Sequence, residues 1–237
     1  MDLTQRQKKI LNIIVEEYIN SALPVSSQLL EKKFDFGVCP ATIRTDMQKL
    51  SDKGYVQQPY TSAGRVPTDK GYRFFVDELL SQNSHNYDSS FLEEIKTMEE
   101  NIQDSIRFAQ NLMKKISEAT SSLTISYFSE GEVFFKEGWG EIIREPEFED
   151  SKFFSKFVDM VENLEENIND LKNETNPQIY IGKESPFPKA RDFSVIVSRC
   201  LFPKNEKGVI AILGPKRMDY DRNISLLNSL TRLMENL

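Results

Sequence analysis

Apolar residues in the first eighty positions recur at three- and four-residue steps, cut by short polar turns. Ile10, Ile14 and Tyr18 fall every four residues, and Leu11 and Val15 widen the stripe, which predicts a helix over about residues 4–20. Thr4 and Gln7 have capping-box spacing at its start. "SALPV" breaks the pattern. Ser26 is placed to cap a second, short helix running to Lys33, with Val25 and Leu30 at the spacing of a hydrophobic staple. "FDFGV" reads as a turn. Cys39-Pro40 opens a third helix, with proline at the first position, where a missing N–H does no harm. Ile43, Met47 and Leu50 form its inner stripe, and Gly54 ends it. "YVQQP" and "RVP" read as two short strands around the turn "YTSAG". A fourth helix is expected from Thr68, with Tyr72, Phe75, Val76 and Leu79 on its core face.

The polar run "SQNSHNYDSS", residues 81–90, has no periodicity and reads as a linker. Beyond it, Phe91, Ile95, Met98, Ile102, Ala109, Leu112 and Ile116 follow a heptad-like spacing with Ser105 interrupting. This predicts one long connecting helix and a candidate dimerisation seam; packing of the same residues on their own domain is the competing reading. "SLTISYF", "EVFFKEG", "QIYIG", "FSVIVSRCLF" and "GVIAILG" read as strands. "SKFFSKFVDMVENLEENINDL" and the stretch from about 219 to 235 read as amphipathic helices. The expected fold class is α+β: a winged helix-turn-helix domain over 1–80, the linker 81–90, and over 91–237 the long helix with a mixed α/β domain. That domain is expected to hold one antiparallel sheet with helices on one side.

Composition narrows the function classes. Hydrophobic residues make up 39% of the chain and aromatics 11%, an ordinary globular mix. No apolar run is long enough to span a bilayer and the start lacks a signal-like core, so a cytoplasmic protein without membrane contact is expected. The net charge is −7, yet residues 1–80 hold 11 Lys+Arg against 10 Asp+Glu. The first third is thus electropositive relative to the remainder, a weak pointer to a polyanion partner. There is no phosphate-cradling glycine loop, nucleophile elbow or paired histidine ligands. No enzymatic activity, cofactor or metal site is expected. Cys39 and Cys200 form no disulfide framework; Cys39 reads as an inert, partly buried thiol, with an exposed, redox-sensitive thiol near DNA as the competing reading. His85, the single histidine, lies in the linker. Trp139 reads as core.

The short second and third helices with a tight turn between them have helix-turn-helix form. With Ile43 at the centre of the inner side, Ala41, Thr45 and Gln48 of the third helix point away from the core at 100° per residue. Thr42 and Arg44 flank them and Lys49 lies farther along. Arginine can bond guanine in two places, glutamine can pair with adenine, and threonine offers a hydroxyl and a methyl group. In the hairpin, Tyr60, Thr61 and Ser62 supply hydroxyls, Gly64 permits a tight turn and Arg65 adds charge. Such contacts position a protein on DNA more than they read sequence. Asp46 reads as structural, orienting a neighbouring arginine, because a carboxylate facing phosphate is repelled. On spacing alone the same polar positions fit a solvated helix face, and the wing fits an ordinary β-turn.

Residues 38–80, "VCPATIRTDMQKLSDKGYVQQPYTSAGRVPTDKGYRFFVDELL", closely resemble the DNA-binding domain of the HrcA family of bacterial heat-inducible transcription repressors. The run Ser62 to Arg73 is the most specific part. "EGWGEIIREPEFED" at 137–150 and "GVIAILGPKRMDY" at 208–220 also resemble that family. The resemblance implies a winged-helix repressor joined to a GAF-like regulatory domain. It implies binding, as a homodimer, to double-stranded DNA carrying the CIRCE inverted repeat before chaperone genes. Release on heat shock and recovery with the help of chaperonin are implied as well. Two departures stand out. The family usually has serine where this chain has Cys39, a poorer helix cap by up to ~1 kcal/mol. Family members are also longer by about a further domain, which includes an inserted dimerisation lobe; here the chain passes from "SSLTISYFSEG" almost directly to "EVFFKEGWGEI". A small-molecule sensor on the C-terminal domain, and a winged-helix module that binds protein, remain as alternatives.

Overall fold

The computed structural model describes residues 3–82, 87–102, 104–128, 132–168, 177–203 and 206–235. Two compact units divide after Gln82. His85 and the centre of the expected linker lie outside the described residues. The flanks of that linker are structured: Ser81 closes a helix, while Tyr87 N–H donates to Ser229 Oγ at 3.0 Å and the Tyr87 ring packs edge-on against Phe91.

The N-terminal unit contains α1 (Gln5–Ser21), α2 (Ser27–Lys33), α3 (Pro40–Asp52), β1 (Val56–Gln57), β2 (Val66–Pro67) and α4 (Asp69–Ser81). Local signals set most of the boundaries. The Thr4–Gln7 capping box is formed, and Ser26 and Thr68 cap α2 and α4 through Leu29 N–H and Gly71 N–H. Gly54 follows α3 at φ +74°, a conformation that side chains resist. Ile10, Leu11, Ile14, Leu30, Ile43, Leu50, Val56 and Val76 share the core and are essentially inaccessible to solvent. β1 and β2 pair antiparallel, and Val25 adds a third rung by exchanging both backbone bonds with Arg65 at 2.9 and 2.8 Å.

The C-terminal unit contains α5 (Ser89–Asn101), α6 (Ser105–Thr120), β3 (Leu123–Phe128), β4 (Val133–Glu137), α7 (Trp139–Ile142), α8 (Ser151–Asn167), β5 (Gln178–Ile181), β6 (Phe193–Phe202), β7 (Glu206–Pro215) and α9 (Tyr220–Met234). The five strands run β4-β3-β7-β6-β5, every neighbouring pair antiparallel. The unit is mixed α/β with an antiparallel sheet, as expected. β3 and β4 form a hairpin in which Phe128 faces Val133, at the point where the resemblance implies an inserted lobe.

Two expectations are corrected. The single long helix is two helices. Ile102 is extended (φ −117°, ψ 96°), and Asp104 caps α6 by accepting from Arg107 N–H at 2.8 Å. An Asp-Ser pair offers the backbone a local partner and starts a new helix. α5 packs on α6, and an ion pair joins Lys115 to Glu94. Ile95, Ala109, Leu112 and Ile116 are fully buried in the unit, and Phe91, Met98 and Ile102 are half-buried. No continuous seam forms, and most of its apolar surface is spent inside one chain.

Helices also cover both faces of the sheet rather than one. Leu123, Ile125, Tyr127, Val195, Val197, Val209, Ala211 and Leu213 pack against Phe157, Met160, Val161 and Leu164 of α8. The other face carries Thr124, Ser194 and Ser198, all buried. These small polar residues bond the helices: Thr124 Oγ1 donates to the Met113 carbonyl of α6 at 2.9 Å, Ser198 Oγ lies 2.8 Å from Thr231 Oγ1 of α9, and Ser194 Oγ lies 2.7 Å from the Tyr220 hydroxyl. A buried hydroxyl is tolerated where a partner is close. Trp139 packs on the first core, edge-on to Phe157.

The two C-terminal stretches that carry the family resemblance meet through Arg217. Its guanidinium, 9% exposed, bonds Glu147 twice, at 2.6 and 2.9 Å, and Glu145 at 2.5 Å. Burial opposes the guanidinium charge, but the two glutamates outweigh it and raise the pKa above its ordinary value. Arg217→Ala is expected to cost about 3 kcal/mol in chemical denaturation. That is the low end for breaking a buried pair, because both carboxylates keep some solvent contact. Glu145→Gln should cost clearly less, since the bidentate Glu147 pair survives.

Candidate nucleic-acid interface

The rotation of α3 about its axis decides what it can present. Ile43, Met47 and Leu50 face the core, and Asp46 goes in with them at 2% exposure. Its two oxygens are both used: Oδ2 accepts from Arg6 Nε at 2.6 Å and Oδ1 from Gln7 Nε2 at 3.2 Å. Gln7 Oε1 meanwhile accepts from Thr4 N–H at 3.2 Å, so the capping box of α1 and the anchor of α3 are one network. Asp46 is structural, as expected. The arginine it orients is Arg6 of α1, forty residues away, and not its neighbour Arg44.

With those four residues inward, the opposite side of α3 is open. Ala41, Arg44, Thr45, Gln48 and Lys49 are exposed and Thr42 is half-buried. Thr45 Oγ1 donates to the Ala41 carbonyl at 2.9 Å, which leaves its lone pairs and methyl group outward. Arg44 Nε makes a 3.2 Å bond to Ser27 Oγ of α2. Cys39, at the head of α3, is exposed, not partly buried as expected, and gives the helix no side-chain cap. Its sulfur instead lies 3.2 Å from Thr42 Oγ1, a hydrogen bond that lowers the thiol pKa below its ordinary value.

The wing stands beside this face. Ala63 N–H closes a turn onto the Tyr60 carbonyl at 3.0 Å; Tyr60, Thr61 and Ser62 are exposed. The left-handed residue of the turn is Ser62, at φ 71°, not Gly64. A serine there costs about 1 kcal/mol relative to glycine, the kind of local strain that functional loops retain. Gly64 serves close approach: a Cβ would lie 2.4 Å from the Val25 carbonyl carbon and oxygen. That contact brings the wing against the α1–α2 turn. Arg65 is half-buried and braces the wing to α3, donating from Nε to Ser51 Oγ at 2.9 Å and from Nη2 to Gln48 Oε1 at 3.3 Å.

Between α2, α3 and the wing lies an open groove of about 440 Å³, lined by Ser26, Ser27, Gln28, Arg44, Met47, Gln48 and residues 62–65. Ser27 and Gln28 were not anticipated from the sequence. The charge distribution explains how a net of +1 can serve a polyanion. Arg6, Lys8 and Lys33 pair with Asp46, Glu78 and Glu17. Among the described residues, no carboxylate lies within ion-pair distance of Arg44, Lys49 or Arg65. These three cations on the open side of α3 and the wing are thus not ion-paired, and Asp52, exposed at the end of α3, is a carboxylate on the same side, bonded to Gln48. The described residues contain no group of side chains suited to a metal ion.

Asp46→Ala should destabilise the N-terminal unit by about 1–3 kcal/mol, because it strips the buried Gln7 amide of its partner. Denaturant titration followed by circular dichroism measures this, and Asp46→Asn should recover part of the loss.

Residues 68–224 match the family model described as HrcA protein C terminal domain. The heat-inducible transcription repressor HrcA of Thermodesulfovibrio yellowstonii is 28% identical over 336 aligned positions, spanning 97% of this chain and 96% of that protein. The repressor of the same name from Natranaerobius thermophilus is also 28% identical over 336 positions, spanning 99% and 98%. Both alignments are longer than this chain's 237 residues, so each relative carries residues without a counterpart here. Among solved structures, the crystal structure of a hypothetical protein matches with a TM-score of 0.75 at 21% identity, covering 98% of this chain and 97% of that one. No helix among the described residues is long and apolar enough to cross a membrane. With a family model matched over most of its length, and both ends joined to these relatives, the chain belongs to the HrcA family.

Proposed function

We propose that this chain represses transcription of chaperone genes by binding, as a homodimer, an inverted-repeat operator of the CIRCE type, and that heat releases it. The observation that carries this reading is the open side of α3. Ala41, Thr42, Arg44, Thr45, Gln48 and Lys49 lie on it, and among the described residues no carboxylate is within ion-pair distance of Arg44 or Lys49. An α-helix of this kind fits the major groove, where Arg44 bonds guanine and Gln48 bonds adenine. Tyr60, Thr61, Ser62 and Gly64 follow the sugar-phosphate backbone and fix the register, with Arg65 beside them. The names of the relatives, heat-inducible transcription repressors, support the regulatory role and its trigger.

Two half-sites on one DNA face require two copies of α3 at about one helical turn, 34 Å, or a multiple of it. Each copy then raises the effective concentration of the other, and loosening the pair lowers affinity steeply. Heat therefore acts on the protein's own stability and pairing, not by competition at the operator. The chaperonin implied by the family would assist the return to the paired form. With most of the apolar seam of α5 and α6 buried in one chain, pairing draws on other surfaces of the C-terminal unit.

Gel-shift titration against a CIRCE duplex tests the reading. Arg44→Ala should weaken binding by about 1–3 kcal/mol and relax the preference at one base pair. Lys49→Ala should weaken all duplexes alike and lower the salt slope by about one. Binding indifferent to the repeat, and unchanged in Arg44→Ala, would remove the reading.

A further inference from the structure

Gln48 is not a free side chain. Its Nε2 donates to Asp52 Oδ1 at 2.8 Å, and its Oε1 accepts from Arg65 Nη2 at 3.3 Å. We propose that Asp52 and Arg65 are positioning residues that lock the polarity of the Gln48 amide, so that Gln48 reads adenine in one orientation only. This rests on the reading that α3 enters the major groove.

The chemistry of the two partners enforces the lock. A carboxylate can only accept and a guanidinium can only donate, so the amide cannot turn over while both bonds hold. An amide has two N–H donors and two carbonyl lone pairs. The clamp takes one of each. One donor and one lone pair remain, which is the pair that adenine N7 and N6 require. The nitrogen lies on the helix-end side, toward Asp52, and the oxygen on the wing side, toward Arg65. The adenine must therefore place N7 toward the end of α3 and its amino group toward the wing. Arg65 is itself fixed, by Ser51 Oγ and by the backbone exchange with Val25. Wing and recognition helix thus act as a single reader.

Asp52 has no other evident reason to be there. It is exposed and is the last residue of α3, where the helix dipole disfavours a negative charge. It also lies near a surface that meets phosphates, which repel it. Both effects count against an acidic residue unless the bond to Gln48 is needed. The signal in the sequence is the i,i+4 spacing of Gln48 and Asp52.

The test is fluorescence anisotropy with a CIRCE duplex, a scrambled duplex, and CIRCE duplexes in which each A·T pair of both half-sites is replaced in turn by G·C. In the wild type, one pair per half-site should show a loss of about tenfold or more that Gln48→Ala abolishes; that pair faces Gln48. Asp52→Asn keeps the shape but is no longer acceptor-only. It should reduce discrimination at that pair by about threefold or more, while affinity for the scrambled duplex stays level or rises. In a Gln48→Ala background, Asp52→Asn should leave discrimination there unchanged. Arg65→Lys, which keeps the charge and loses the fork, should behave the same way. Thermal melts check that each variant is folded. If Asp52→Asn shifts every duplex by one common factor in both backgrounds, Asp52 is surface charge and the clamp is overturned. If the wild type does not prefer CIRCE to the scrambled duplex, the operator reading fails and the clamp falls with it. A wild type that prefers CIRCE, with no pair sensitive to Gln48→Ala, removes the clamp alone.

Discussion

Asp46 sits where a helix and its neighbour would otherwise be free to roll. A carboxylate taken out of water needs partners for both oxygens, and these come from Arg6 and Gln7 at the start of α1. Apolar contacts between α1 and α3 tolerate small rotations; two hydrogen bonds to a buried charge do not. Once Asp46 and the Ile43, Met47, Leu50 stripe are inward, a step of 100° per residue puts Arg44, Thr45 and Gln48 outward. The same Gln7 closes the capping box, so the beginning of α1 and the orientation of α3 stand or fall together. The wing is held by a second constraint, the missing Cβ of Gly64 against Val25. The open face of α3 and the groove beside it follow from these two.

The parts of this arrangement governed by neighbours in sequence were legible in advance. Thr4 and Ser26 cap the helices they were expected to cap, Thr68 and Asp219 cap helices that start where expected, and Pro40 and Gly54 bracket α3. Each depends on a bond or a backbone angle within a few residues. The outward set of α3 was legible because the apolar stripe was. What escaped depends on distant partners. The bond from Asp46 to Arg6 spans forty residues. The need for glycine at position 64 comes from the α1–α2 turn, while the left-handed residue of the wing is a serine. Gln48 looked like a free reader because its clamp combines a helical neighbour with a wing residue seventeen positions away.

The C-terminal unit shows the same division. Heptad spacing from Phe91 to Ile116 suggested one helix, but the Asp104-Ser105 pair starts a second, and the two fold together. Helices were expected on one side of the sheet, yet hydroxyls along β3 and β6 find partners in α6 and α9, and the sheet is covered on both faces. Arg217 then ties the α7–α8 segment to the β7–α9 turn, which accounts for why the two stretches resembling the family go together. The β3–β4 pairing sets Phe128 opposite Val133 at the point where the family resemblance implies an inserted lobe.

The most direct measurement is a structure of the chain bound to a CIRCE duplex. The account predicts α3 in the major groove with Arg44, Thr45 and Gln48 on base edges, Tyr60 to Ser62 along the backbone, and Asp46 still bonded to Arg6 and Gln7. A complex in which the open side of α3 faces solvent, or in which another element enters the groove, would contradict it.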